Sequence, residues 1–363
     1  MNETIEQTLA RLQSTGNLRT IPAEGTPGVV DMCSNDYLGI AQRKDILEEF
    51  LAANDIATLP FTASASRLLA RRQSRYNALE QDLERIFGRP ALLFNSGYHA
   101  NSGIIPAIAS NGYFIVADRL VHASIIDGMR LSGAPFGRFR HNDLAHAAAI
   151  AQKAADQGLK PIFIIESIYS MDGDTAPVAE FADLKRRFPG SLLYVDEAHA
   201  IGVAGVAGRG LAADIPDVDI IIGTFGKALA SAGAFAICSE PLKQFLINTC
   251  RSLIFSTALP PLNMAWSQHT LAKALTMDSE RIHLASLGKA LAPLTGCTNN
   301  GHIQPLVVGD AVKAVELSAK LRNNGFDVLP IRTPTVPPGT ERLRFSLSAA
   351  IPLRSIDKLA SIL

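Results

Sequence analysis

From residue 74 onward the chain alternates two hydrophobic patterns. Apolar positions three and four apart in "RYNALEQDLERIF", "GYHANSGIIPAIAS", "HASIIDGMRLS", "DLAHAAAIAQKAADQ" and "VAEFADLKRRF" predict helices with one buried face. Between and after them stand short, unbroken apolar runs: "ALLF", "YFIVAD", "PIFIIES", "SLLYVDE", "DIIIGTF" and "AFAICS". Strands that are apolar on both sides, interleaved with helices, predict an α/β fold whose largely parallel sheet is covered on both faces.

After "STALPP", residues 256–261, the texture changes. Helical stretches near 263–277 and 280–294 are followed by "IQPLVV", the helix "AVKAVELSAKLRNNG", and the strand-like "FDVLPI" and "RLRFSLSA". The expected organisation is a segment 1–60 that packs on the small domain or on a partner, a large domain 61–260, and a smaller C-terminal α+β domain 261–363. "MNETIEQTLARLQ" at the start reads as a polar helix without the apolar core of a signal peptide.

Composition narrows the function classes. Hydrophobic residues make up 47% and charged residues 19%, enough for a large core. Net charge is +0, which argues against nucleic acid or an anionic membrane as partner. Cys33, Cys238, Cys250 and Cys297 are scattered, a spacing that suits neither a disulfide framework nor a metal centre. No apolar run approaches the roughly 20 residues of a membrane span. A cytoplasmic protein is expected.

Ligands of open α/β sheets bind beyond the carboxyl ends of the strands. Asp118, Ser167, Ser170, Asp196, His199, Thr224 and Lys227 all follow apolar strand-like runs. Each alone has an ordinary explanation as a cap, a turn or a core residue; together they converge on one rim. A lysine there can face a phosphate as a point charge or act as a Schiff-base nucleophile. A carboxylate ending an apolar strand, Asp196, calls for a cationic partner, and a protonated pyridine nitrogen is one. "NSGYHAN" sets Ser96 and Gly97 ahead of a helix, where free N–H groups suit a phosphate. These features match a pyridoxal phosphate site. A rival reading takes "DEAH", 196–199, as a helicase motif. It fails because the residues around Lys227 do not spell G-x-x-x-x-G-K-[ST] and come after the acidic motif.

The blocks "SNDYLG" (34–39), "ADRLVHASIIDG" (117–128), "SIYSMDGDTAP" (167–177), "VDEAHAIGVAGVAGRG" (195–210), "GTFGKALASAG" (223–233), "FSTALPP" (255–261), "IQPLVVGD" (303–310) and "PTVPPGTERLRFSLSAA" (334–350) run in one order over nearly the whole chain. In these the chain resembles the α-oxoamine synthases, which are fold type I pyridoxal 5'-phosphate enzymes. The resemblance implies a homodimeric acyltransferase that joins an amino acid to an acyl thioester with loss of CO2. The substrates implied are L-alanine and a pimeloyl group carried by coenzyme A or a carrier protein; sister enzymes use glycine, and some heteromeric members carry a silent subunit.

It also implies roles. Lys227 would hold the cofactor and move the α-proton, Asp196 would pair with the pyridinium nitrogen, and His122 would stack on the ring. Ser170 and His199 would lie near the phenolic oxygen. Gly97, Tyr98 and Thr224 would lie at the phosphate, and Thr257 would reach the phosphate of the neighbouring subunit. Asn35 and Arg344 would meet the amino acid, and Thr335 and Arg19 the acyl substrate. In "RLRFSLSA" period-two alternation sets Arg342 and Arg344 on one face, which is either a carboxylate grip or a solvent face. The chain departs from the family at "TASASR", 62–67, where Thr62, Ser64 and Ala65 stand in place of common glycines, and at Ala230. Added Cβ atoms there either change the loop or narrow the acyl channel. Nearby Arg71 could offer charge to a thioester's phosphate.

Overall fold

The structure is a computed structural model that describes residues 3–21, 28–71, 73–110 and 112–363. Among these, twelve strands follow one another: β1 (Val30–Asp31), β2 (Ala91–Phe94), β3 (Tyr113–Asp118), β4 (Phe136–Phe139), β5 (Lys160–Glu166), β6 (Leu192–Asp196), β7 (Ile220–Thr224), β8 (Ala234–Ile237), β9 (Ile303–Val307), β10 (Phe326–Asp327), β11 (Leu329–Ile331) and β12 (Arg342–Ser346).

Residues 38–169 and 175–278 form one compact unit around a seven-stranded sheet in the order β2-β8-β7-β6-β5-β3-β4. The pairs β3–β4, β3–β5, β5–β6 and β6–β7 are parallel, while β8 is antiparallel to both β2 and β7. Every residue of β2, β7 and β8 is buried, as unbroken apolar runs require. The helices Gly97–Ala109 and Ala123–Ser132 press Ile104, Ile105, Ile108, Ile125 and Met129 onto one sheet face. Gly223 sits where β7 meets the ring of Phe235 on β8, and a Cβ there would overlap that ring. Because the central strands run parallel, Asp118, Glu166, Asp196 and Thr224 all fall at carboxyl ends.

Residues 1–37, 170–174 and 279–363 form the second unit. Its three-stranded antiparallel sheet has the order β11-β12-β9, and β1 pairs in parallel with β10. "FDVLPI" is therefore two short strands in two sheets rather than one. The expected divisions at 60/61 and 260/261 fall inside the seven-stranded unit. The reason is packing: Phe50 and Leu59 bury against Ala265 and Trp266 of the helix Pro261–Ala274. The helix Ile5–Ser14 begins with Thr4, whose side chain takes the Gln7 N–H while the Gln7 side chain takes the Thr4 N–H. No helix of the described residues is long and apolar enough to cross a membrane.

Candidate active site

The rim of the seven-stranded sheet holds a cavity of about 150 Å³ bordered by Gly97, His122, Asp196, His199, Thr224 and Lys227. Each side chain reaches it for a local reason. Asp196 ends the central strand β6 and is 5% exposed. The turn that follows brings back buried His199, whose Nε2 lies 2.7 Å from Lys227 Nζ. Lys227 sits in the tight turn after β7, closed by Ala230 N–H donating to the Lys227 carbonyl at 2.8 Å. Thr224 ends β7; its hydroxyl donates to the Gly233 carbonyl at 3.1 Å and accepts from Gly226 N–H at 3.1 Å.

Asp196 accepts two hydrogen bonds, from Ala198 N–H to Oδ1 at 2.9 Å and from Asn101 Nδ2 to Oδ2 at 2.7 Å. Both donors are neutral. A buried carboxylate with only neutral partners fits one more, cationic, N–H donor. Across the cavity the helix Gly97–Ala109 begins with Ser96, whose side chain takes the His99 N–H. The Gly97 and Tyr98 N–H groups have no intrahelical partner, and space is open above Gly97. A lysine, a buried carboxylate and an open helix N-terminus thus surround one cavity. The donor set fits pyridoxal phosphate: Lys227 for its carbonyl carbon, Asp196 for its ring nitrogen, and Gly97, Tyr98 and Thr224 for its phosphate.

His122 caps the helix Ala123–Ser132 and borders the cavity. It is held below its ordinary value by the loss of surrounding water first and by the Lys227 charge, against the pull of Asp196. Asn101, Ser124 and Glu166 also border the cavity and were missed in the sequence. Asn101 lies one helical turn past Gly97, and that spacing was the available signal.

In the second unit Arg344, on the middle strand β12, is 4% exposed. Its Nε donates to the Ser170 carbonyl at 2.6 Å and its Nη2 to Asn35 Oδ1 at 3.1 Å. The whole of β12 is buried, so its arginine face is no solvent face. Arg342 on that face meets the carboxylate of Asp172, whereas both Arg344 partners are neutral. The Tyr37 hydroxyl, pushed up to about 12 by burial, donates to Asn35 Oδ1 at 2.9 Å. Arg19 Nη2 donates to Thr335 Oγ1 at 2.9 Å, bringing together two exposed residues distant in sequence. Thr257, in the seven-stranded unit, bridges Ser66, and its carbonyl accepts from Asn95 Nδ2 at 2.6 Å. In the glycine-poor segment Ser64 keeps a left-handed backbone at φ 51°, as does Ala230 at φ 45°. The conformations that suit glycine therefore persist there with a Cβ in place.

A lysine facing a buried carboxylate on the rim of such a sheet defines a fold type I pyridoxal phosphate enzyme. The family model for aminotransferase class I and II matches residues 27–363, and the chain belongs to that family. It is 44% identical to the 8-amino-7-oxononanoate synthase of Haemophilus ducreyi over 381 residues, 98% of each chain. A variant serine palmitoyltransferase of S. paucimobilis, whose structure holds a bound PLP–myriocin aldimine, superposes with a TM-score of 0.89 at 26% identity, covering 98% of this chain and 94% of that one. The 8-amino-7-oxononanoate synthase of Francisella tularensis superposes with a TM-score of 0.79 at 25% identity, covering 93% of this chain and 97% of that one.

Proposed function

We propose that the chain catalyses the decarboxylative condensation of L-alanine with a pimeloyl thioester to give 8-amino-7-oxononanoate, CO2 and a free thiol, a step of biotin biosynthesis. The observation that carries the chemistry is the Lys227–His199 pair in one cavity with Asp196. The substrates rest on the likeness to the synthase of Haemophilus ducreyi.

Bound in that cavity, pyridoxal phosphate supplies an electron sink for the charge left on the amino acid's α-carbon. The chain does the rest. Lys227 Nζ would hold the cofactor and, once displaced by the substrate's amine, would take the α-proton as a free amine, and His199 Nε2 would fix its place. Asp196 keeps the ring nitrogen protonated. His122 would cover the ring face. Ser170 would serve the phenolic oxygen, and Thr257 the phosphate of a second copy. Arg344, a buried guanidinium with neutral partners, takes the amino-acid carboxylate with Asn35 beside it. Arg19 and Thr335 contact the acyl chain.

The test is turnover by the purified, cofactor-loaded chain, with product identified by mass. L-Alanine with pimeloyl-CoA or pimeloyl carrier protein is expected to give 8-amino-7-oxononanoate, with glycine and a short acyl thioester poor in parallel. Turnover with glycine alone moves the chain to a sister synthase. No turnover with any pair, in protein that has bound the cofactor, points to a silent subunit and overturns the proposal.

A further inference from the structure

Beneath the cavity lies a hydrogen-bonded frame that links its two ring-contacting groups. Asn101, 1% exposed, uses every polar atom of its side chain. Its Oδ1 accepts from the hydroxyl of Tyr194, which is fully buried on β6 and held protonated by that burial. Its Nδ2 carries two hydrogens: one goes to Asp196 Oδ2 at 2.7 Å, the other to Ser124 Oγ at 2.9 Å. The orientation of the amide follows from its partners. Turned the other way, Asn101 Oδ1 and Asp196 Oδ2 would face each other as two acceptors.

That orientation dictates what comes next. Ser124 Oγ accepts from Asn101, so its own hydrogen is free for His122 Nδ1, 2.8 Å away. The Ser124 backbone N–H points at the same nitrogen, at 3.2 Å. A ring nitrogen that receives two donors carries no proton. The imidazole proton therefore sits on Nε2, which makes no hydrogen bond among the described residues. Donation runs one way: Tyr194 to Asn101, Asn101 to Asp196 and Ser124, Ser124 to His122.

We propose that Asn101 is the positioning residue of this site: it fixes the orientation of Asp196 and, through Ser124, sets His122 as the neutral Nε2–H tautomer. The consequence is a division of labour in one small cavity. Asp196 presents an acceptor to the cofactor ring nitrogen, and His122 presents a donor and no base. An aspartate at 101 could not serve, because it would set a second carboxylate against Asp196 and reverse the Ser124 hydroxyl. This inference rests on the cofactor assignment above for the part played by Asp196; the tautomer of His122 does not need it.

The test separates the two. Long-range proton–nitrogen spectra of the cofactor-free protein are expected to show His122 protonated on Nε2 alone at neutral pH. In Asn101→Asp the Ser124 hydrogen turns to the new carboxylate and the added charge favours imidazolium, so His122 is expected to carry protons on both nitrogens at the same pH. A wild-type proton on Nδ1, or a folded Asn101→Asp protein with an unchanged His122 spectrum, overturns the proposal. If Asn101→Asp does not fold, Asn101→Leu, close in volume, takes its place, with PLP affinity as the readout. Loss of the charge-assisted bond to Asp196 is expected to weaken PLP binding roughly ten- to hundredfold. Unchanged PLP affinity in folded Asn101→Leu overturns the positioning role. A wild-type chain that binds no PLP defeats the cofactor reading instead and leaves the His122 spectrum to decide the tautomer.

Discussion

Glu197 stands between the two cavity residues Asp196 and His199 but points away from the cavity. Its carboxyl is fully buried. It accepts from Ser167 Oγ at 2.7 Å, from Leu211 N–H at 3.1 Å and from Ala212 N–H. The loop 200–212 is thereby clamped under the strand ends. The fit is close: a Cβ on Gly210 would stand 2.7 Å from Glu197 Oε2. Burial, and to a lesser degree the charge of Asp196, pushes the carboxyl up from 4.5 to about 7, against the pull of its three donors. A raised acid binds its proton more tightly in the folded than in the unfolded chain. Its contribution to stability is therefore present below about pH 4.5 and lost as pH rises through about 7. At about 1.36 kcal/mol per pH unit the full loss is about 3 kcal/mol, of which about 2–3 kcal/mol falls between pH 5 and 8. Glu197→Gln removes the titration while keeping one acceptor. The assay is urea unfolding of wild type and Glu197→Gln at pH 5, 6, 7 and 8. Wild type is expected to lose about 2–3 kcal/mol relative to the variant across that range. Parallel curves would refute the reasoning, and a wild type that gains relative to the variant would reverse its sign.

Arg344→Lys keeps the charge but loses the planar fork, so the KM for the amino acid is expected to rise roughly ten- to hundredfold, while the KM for the thioester holds; steady-state kinetics decide it. An unchanged amino-acid KM removes the assignment. Ala230→Gly relieves a left-handed alanine in the turn that carries Lys227, worth about 1–2 kcal/mol, against a glycine entropy cost of about 0.5–1 kcal/mol. A net gain of up to about 1 kcal/mol is expected in urea unfolding, and a destabilised variant would show that the turn needs its Cβ. Arg71 is exposed beside a cavity of about 290 Å³ bordered by Thr62, Ala63 and Ala70. Arg71→Ala is expected to raise the thioester KM several-fold with the amino-acid KM constant, and an unchanged thioester KM removes the phosphate contact.

The sheet was legible because strands covered on both faces must be apolar throughout, as in "DIIIGTF" and "PIFIIES". The edge strand β4, "FGRF", escaped because only Phe139 is fully buried, which leaves a glycine and an arginine in the run. "FDVLPI" read as one strand because hydrophobicity does not record the change of partner after Asp327; here Phe326–Asp327 and Leu329–Ile331 bond to different strands. The packing of Phe50 and Leu59 on Ala265 and Trp266 is a long-range choice that no local pattern announces. In the site, Lys227, Asp196 and His199 were visible as polar breaks at strand ends. Asn101 and Ser124 were not, since each lies within an ordinary helical pattern and acts only through contacts across the fold. The "DEAH" tetrapeptide divides by geometry: Asp196 and His199 line the cavity, and Glu197 holds the loop behind them.

The central claim is that Lys227 carries pyridoxal phosphate in a site built for L-alanine. The most direct measurement is borohydride reduction of the cofactor-loaded protein followed by peptide mass spectrometry, with the visible spectrum recorded beforehand as L-alanine is added. The account predicts a visible cofactor band that changes with L-alanine and, after reduction, a single modified peptide bearing the cofactor on Lys227. Modification at another lysine, or cofactor still fixed by borohydride in Lys227→Ala, would contradict it.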